Sequence, residues 1–259
     1  MRHWFRSYLL LLRWSAIRLR YLLPLVLVIQ IFLSVGIVLG FAFLLPQIDS
    51  ATALYLSTGA PTLGLITIGM VMAPQLVATS KTEGTFTYNQ TLPVPRTAVL
   101  VSDVTTWLIV GTPGLILGLV VAVLRFDITL RVSWMAIPVM SLVALTTTTV
   151  GLAIAYAATP PVTNMVTQLI VFIALMFSPI NFPADRLPEW LQTIHQVLPF
   201  QYMAQAVRET LNTPPDGIAA PPFVVLAAWC TAGLVITLRI MTSTPAGDRD
   251  HGSMRACRA

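Results

Sequence analysis

Residues 97–124 read TAVLVSDVTTWLIVGTPGLILGLVVAVL, and the whole stretch carries one charge, Asp103. At ~1.5 Å per helical residue it is long enough to cross a hydrocarbon core of about 30 Å. Five further stretches share that character: Tyr21 to Leu45, Thr58 to Ala78, Val132 to Ala157, Val162 to Phe182 and Ala219 to Ile240. The chain is 56% hydrophobic and 10% charged, with mean hydropathy +0.80; a soluble domain carries about 25% charged residues. The expected fold is therefore an all-α integral membrane protein with six transmembrane helices. One membrane domain is expected over 1–259. It divides into an interface helix at 1–20, a six-helix membrane domain at 21–240 and a cytoplasmic, disordered tail at 241–259.

The net charge of +5 does not point to nucleic acid, because the basic residues flank the apolar stretches. Basic flanks set orientation in a membrane, their side being cytoplasmic. With the N-terminus inside, the cytoplasmic segments hold Arg2, Arg6, Arg13, Arg18, Arg20, Lys81, Arg96, Arg239, Arg249, Arg255 and Arg258. Only Arg125, Arg131, Arg186 and Arg208 fall outside, so both termini are expected in the cytoplasm. Cys230 and Cys257 fall in the last stretch and in the tail, too far apart to pair. No metal-ligand spacing occurs. The start does not read as a cleavable signal, since Arg13, Arg18 and Arg20 interrupt its apolar run. Arginine outnumbers lysine fourteen to one, a composition associated with GC-rich bacterial genomes.

Residues 1–20 pattern as an amphipathic helix, with Arg2, Arg6, Arg13 and Arg20 in one narrow arc. Trp4, Tyr8, Leu11 and Leu12 lie opposite, placed to enter the acyl boundary. The second apolar stretch is expected to end between Pro74 and Thr79, and a polar segment, Ser80 to Arg96, follows. Pro93 and Pro95 end any helix in it. Short connections at Pro46 to Ser50, Arg125-Phe126-Asp127 and Thr159-Pro160-Pro161 make neighbouring stretches antiparallel. Between Ala184 and Pro215, Leu187, Trp190, Leu191, Ile194, Val197 and Leu198 repeat with helical spacing up to Pro199. Tyr202, Ala206 and Val207 mark a second short helix ending near Leu211. Both are too short to span and are expected at the outer surface or dipping into it.

Some chemistry is missing from the sequence. No ionisable residue sits in the middle of an apolar stretch, which argues against an ion-coupled secondary carrier. A P-loop needs Gly-Lys-Ser/Thr, and the one lysine, Lys81, follows Ser80. ATP chemistry must come from another polypeptide. A membrane-embedded enzyme would need a nucleophile, base or metal set within reach. His195 is six residues from Glu189, which does not place them on adjacent turns, and reads as a solvated interface residue.

The segment after the second stretch carries a resemblance. Glu83-Gly84-Thr85 followed by Leu92-Pro93-Val94-Pro95-Arg96, leading into an apolar helix, resembles the membrane subunits of ATP-binding-cassette exporters of the type-2 (type V) family. Ser178-Pro179, Pro183, Leu187-Pro188-Glu189-Trp190-Leu191, Leu198-Pro199 and Arg208 are similar to that family's outer re-entrant hairpin between helices five and six. Two departures stand out. Lys81-Thr82-Glu83-Gly84 is shorter and less basic than the usual motif, and Asp103 stands where the family often has a lysine.

The resemblance implies a permease pairing with a second copy or a homologous permease. Two ATPase subunits, which bind ATP and Mg, would dock on it, and the chain itself would hold no cofactor. It implies an ATPase-coupling loop at Lys81, Thr82, Glu83, Gly84, Thr85, Phe86, Tyr88, Pro93 and Arg96, and an outer gate at Pro183, Pro188, Trp190, Pro199 and Arg208. The basic N-terminal helix would flank the ATPase. The location implied is the cell (plasma) membrane, in contact with the bilayer.

Gln30, Asn164, Gln168 and the threonines from Thr146 to Thr149 are the polar side chains expected to line a path or join helices. Gly111, Gly114 and Gly118 mark a helix contact in the third stretch. Aromatics at mid-span are sparse: Phe32, Trp107, Phe172, Phe177 and Trp229. Sugars stack on aromatic rings, so this scarcity favours an amphiphilic small molecule (antibiotic, drug or lipid) over a polysaccharide or lipid-linked glycan. It resembles the family's drug-export branch.

Overall fold

A chain this apolar has to satisfy its backbone polar groups within itself, and helices do so without partners. The structure, a computed structural model, describes residues 2–21, 23–44, 50–126, 134–180, 182–183, 187–212 and 220–243, and among these every regular element is helical. The order is α1 (Arg2–Leu19), α2 (Leu23–Leu44), α3 (Ser50–Thr67), a π-helical turn (Ile68–Met72), α4 (Ala73–Thr82), α5 (Thr85–Thr91) and α6 (Arg96–Phe126). Then follow α7 (Ala136–Ala157), α8 (Pro160–Met176), α9 (Glu189–His195), α10 (Pro199–Asn212) and α11 (Pro221–Ser243).

Among the described residues, four helices are long and apolar enough to cross a membrane: Tyr55–Thr82, Arg96–Val121, Ala136–Ala157 and Pro221–Thr242. A fifth arises if His3–Leu19 and Leu23–Phe32, bent by 69° at their junction, count as one broken span. Pro160–Met176 is apolar but shorter. Four or five candidate spans thus stand where six are expected. The fifth expected stretch stops early because the chain turns at Ser178 and Pro179, where the Ile180 amide donates to the Ser178 carbonyl at 2.8 Å. The expected tail lies outside the described residues apart from its first three, which continue α11; so do the turn at Asp127 and most of the loop at Pro46 to Ser50.

The second span passes its expected end, between Pro74 and Thr79, by three residues. Helix runs on to Thr82, so Ser80, Lys81 and Thr82 are helical rather than loop. Pro74 cannot donate an amide and crowds the preceding turn. The widened π turn immediately before it absorbs that defect.

The same turn makes the closest helix contact in the bundle. A side chain on Gly151 of α7 would run into the Gly69 carbonyl, so only glycine lets the two backbones meet there. Helix α7 is central, packed against α11, the π turn, α4, α6 and α10. Thr146, Thr147, Thr148 and Thr149 are all buried in these contacts. Thr146 donates to the Leu142 carbonyl at 2.8 Å and across to Leu226 of α11 at 3.3 Å; Thr149 donates to Thr146 at 3.2 Å. The threonine run is thus buried in helix contacts, with Thr146 bonding across to α11. Gln30 of α2 is likewise buried, against Gly64 of α3 and Gly114 of α6. Gly111 of α6 packs beside Leu65 of α3, within a helix contact as expected.

Candidate functional site

Two clusters of functional side chains lie at opposite ends of the continuous helix that α3, the π turn and α4 form. At one end, α4 stops at Thr82, and Gly84, with φ of 76°, reverses the chain into α5. That left-handed turn suits glycine, which lacks a Cβ to clash. Helix α5 ends before extended Leu92, and Pro93 and Pro95 carry the chain to the first residue of α6, Arg96. The outward face of this short segment is exposed: Thr82, Glu83, Gly84, Thr85, Tyr88 and Pro93.

Lys81 does not join that face. Its ammonium donates to three backbone carbonyls where α7 ends: Ala155 at 2.6 Å, Ala158 at 2.9 Å and Tyr156 at 3.3 Å. The last carbonyls of a helix have no partner within it, and the helix dipole is negative there. One cation satisfies both needs. Lys81 also lies over the Phe86 ring at 5.3 Å, and Phe86 meets Tyr156 edge-on at 5.3 Å. The end of α4, the end of α7 and α5 are therefore fastened to one another. Lys81 and Phe86, expected in the coupling loop with these exposed residues, instead turn inward.

The other end holds the hairpin. Pro188 precedes α9, and Pro199 is the first residue of α10, where a missing amide costs nothing. Trp190 is exposed and Pro183 half-buried. Helix α10 does not rest on the surface; Phe200, Met203, Ala204, Ala206, Val207 and Leu211 are buried in the main core between α3, α7 and α11. Arg208 donates to the Ile180 carbonyl at 3.0 Å and the Thr58 hydroxyl at 3.2 Å, and its guanidinium stacks 3.7 Å from the centre of the Tyr55 ring. Burial pulls its pKa down to about 10, with Tyr55 and Glu209 opposing, so it stays charged at neutral pH.

His195 is a second correction, for it is 1% exposed rather than solvated. Its Nε2 lies 2.9 Å from the Phe177 carbonyl and donates to it. Burial lowers its pKa below the usual 6.5, with that hydrogen bond opposing, so the ring is neutral at pH 7. Two side chains of the hairpin thus hold the turn that leaves α8.

Helix α1 is amphipathic as expected, with Arg6, Arg13 and Arg20 exposed; the Arg2 side chain is outside what is described. Its apolar contacts differ from expectation. Trp4 and Tyr8 donate to Thr97 at 3.0 Å and Thr105 at 3.3 Å, so this face packs on α6 and not on lipid. The exposed apolar side chains are instead Phe5, Leu9, Leu10, Trp14 and Ile17, flanking the arginines. Asn164 and Gln168 point away from the core. They share an exposed face of α8 with Met165, Leu169 and Phe172.

Residues 8–212 of the 259 match the family described as ABC-2 type transporter. The chain belongs to that family. It is a multi-pass membrane permease without a nucleotide-binding domain. Permeases of the ABC-2 type pair with ATPase subunits in general. A comparison with curated proteins returned no match. Among the described residues no cluster of His, Cys, Asp or Glu is arranged to hold a metal.

Sequence reasoning about this ABC-2 permease missed three placements. The inward turn of Lys81 has no local signal, since its acceptors are more than seventy residues away in sequence. The burial of His195 could have been suspected from its helical spacing with Leu191, which is also buried. Arg96 and Asp103, seven residues apart on one face of α6, line a common cavity under α5.

Proposed function

We propose that this permease forms half of an exporter for an amphiphilic small molecule of the antibiotic, drug or lipid class. Two copies, or this chain and a homologue, enclose the path, and two ATPases dock on the exposed face of α5. In this reading α2 and α8 complete six spans and both termini lie in the cytoplasm of the cell it serves, at the plasma membrane. The path runs along the exposed face of α8, where Asn164 and Gln168 punctuate an apolar surface. The hairpin of α9 and α10 is the outer gate.

One observation carries the reading: Lys81 binds α5 and the ends of α4 and α7 into a single unit. A push on α5 then moves two membrane helices at once, which is the mechanical requirement for coupling. Replacing Glu83 and Tyr88, both exposed, by Ala should leave the protein inserted and paired but lower ATP-driven export about tenfold in vesicles. Export at the original rate would remove α5 as the docking element. A glycan substrate is the second reading, supported by Phe172 and Phe177, which pair edge-to-face with centroids 5.7 Å apart on exposed α8 surface.

A further inference from the structure

Between α1, α6 and the underside of α5 lies a cavity of about 220 Å³. Its floor holds Asp103, two turns into α6. Among the described residues this carboxylate has neither a hydrogen-bond nor an ion-pair partner. A carboxylate facing a cavity at this depth calls for a cation. The same cavity is also lined by two guanidinium groups, Arg18 from α1 and Arg96 from the start of α6. Arg18 donates to Ser80 at 2.7 Å and acts electrostatically on Asp103 without reaching it. A simple ammonium ion would answer the carboxylate and leave Arg96 unanswered. A simple anion would do the reverse.

We infer that the cavity binds the zwitterionic headgroup of an amine-bearing phospholipid, its ammonium on Asp103 and its phosphate toward Arg18 and Arg96. The volume supports a headgroup and not a whole lipid, being below the roughly 300–1,000 Å³ of sites that engulf a drug-sized ligand. The acyl chains have a route out. Trp14 lines the cavity and is also 60% exposed, so the cavity wall continues onto the apolar flank of α1 formed with Leu10 and Ile17. An amphipathic helix of this kind lies at headgroup depth. Phe86 and Asn89 of α5 close the cavity from the other side, so the bound headgroup touches the element proposed to receive the ATPase. The inference depends on the membrane location and not on which substrate is exported.

The test uses the purified full chain with its associated subunits, delipidated in mild detergent, and native mass spectrometry. Phosphatidylethanolamine, phosphatidylglycerol and chain-free glycerophosphoethanolamine are added in turn. One phosphatidylethanolamine per chain is expected, held at least tenfold more tightly than phosphatidylglycerol. Asp103→Asn should weaken it at least tenfold, with Asp103→Glu recovering most of the binding and Trp134→Ala, an exposed position elsewhere, having no effect. Equal retention of the two lipids by the unaltered protein overturns the proposal without recourse to any variant. So does full binding by a folded Asp103→Asn protein. Chain-free headgroup binding as tightly as the lipid overturns a lipid as the source.

Discussion

The α5 end and the hairpin end solve one problem in the same way and then diverge. Each has a helix terminus whose carbonyls need donors, and each supplies them from basic or imidazole side chains of another element. Lys81 serves α7; Arg208 and His195 serve the turn after α8. Around Arg208 the space is filled by Met203, Ala204, Val207 and Leu211, all nearly inaccessible. At the α5 end it is not: a cavity lined by Ser80, Phe86 and Asn89 lies beneath α5, and the helix itself presents an exposed face. Close-packed interiors hold one arrangement, while a gap leaves neighbours freedom to shift. On the proposed reading, the hairpin end would serve as a plug and the α5 end as a lever.

The sharpest way to break that contrast is at Arg208. Arg208→Met removes donors from the Ile180 carbonyl and Thr58 inside a filled core, and should cost about 2–4 kcal/mol of stability. Limited proteolysis of the hairpin and the melting temperature report it, and a loss well under 1 kcal/mol would mean the plug is held by packing alone. Lys81→Met keeps the aliphatic stem but uncaps α7, for an expected loss of about 1–2 kcal/mol. Its larger signature is functional: ATP hydrolysis persists while export falls several-fold. A stability loss equal to that at Arg208, with export per ATP unchanged, would erase the distinction between lever and plug.

The smallest effect concerns pH. His195 is held neutral by burial, so the unfolded chain takes up the proton first as pH falls. Stability present above about pH 6.5 should therefore fade as pH drops below that value, by at most about 1.4 kcal/mol at pH 5.5. His195→Gln should flatten the slope of hairpin protection measured by hydrogen exchange between pH 7.5 and 5.5. The same slope in both proteins would assign it to another group.

Much of this was legible in the chain itself. The apolar stretches overlap each long apolar helix, but the fifth runs six residues past the end of α8 at Met176, and Pro74, expected near the end of the second, lies eight residues inside its helix. The proline rule is local, and the π turn that rescues the helix needs Gly151 on a distant helix to make room. The hairpin helices were legible from spacing and from Pro199, though not their depth in the core. The arginine arc of α1 was legible because 100° periodicity suffices to find it. The partner of its other face was not, since lipid and α6 both favour Trp4 and Tyr8.

Composition, periodicity and the Glu83-to-Arg96 motif thus pointed to a helical membrane permease with a polar segment between its second and third apolar stretches. Those properties depend on solvent preference and local geometry, which each residue carries with it. Which way Lys81, His195, Asn164 and Asp103 face was decided only by tertiary structure. Their directions depend on which carbonyls, gaps and helix faces arrive from elsewhere in the chain, and burial repays a polar group only where a partner meets it.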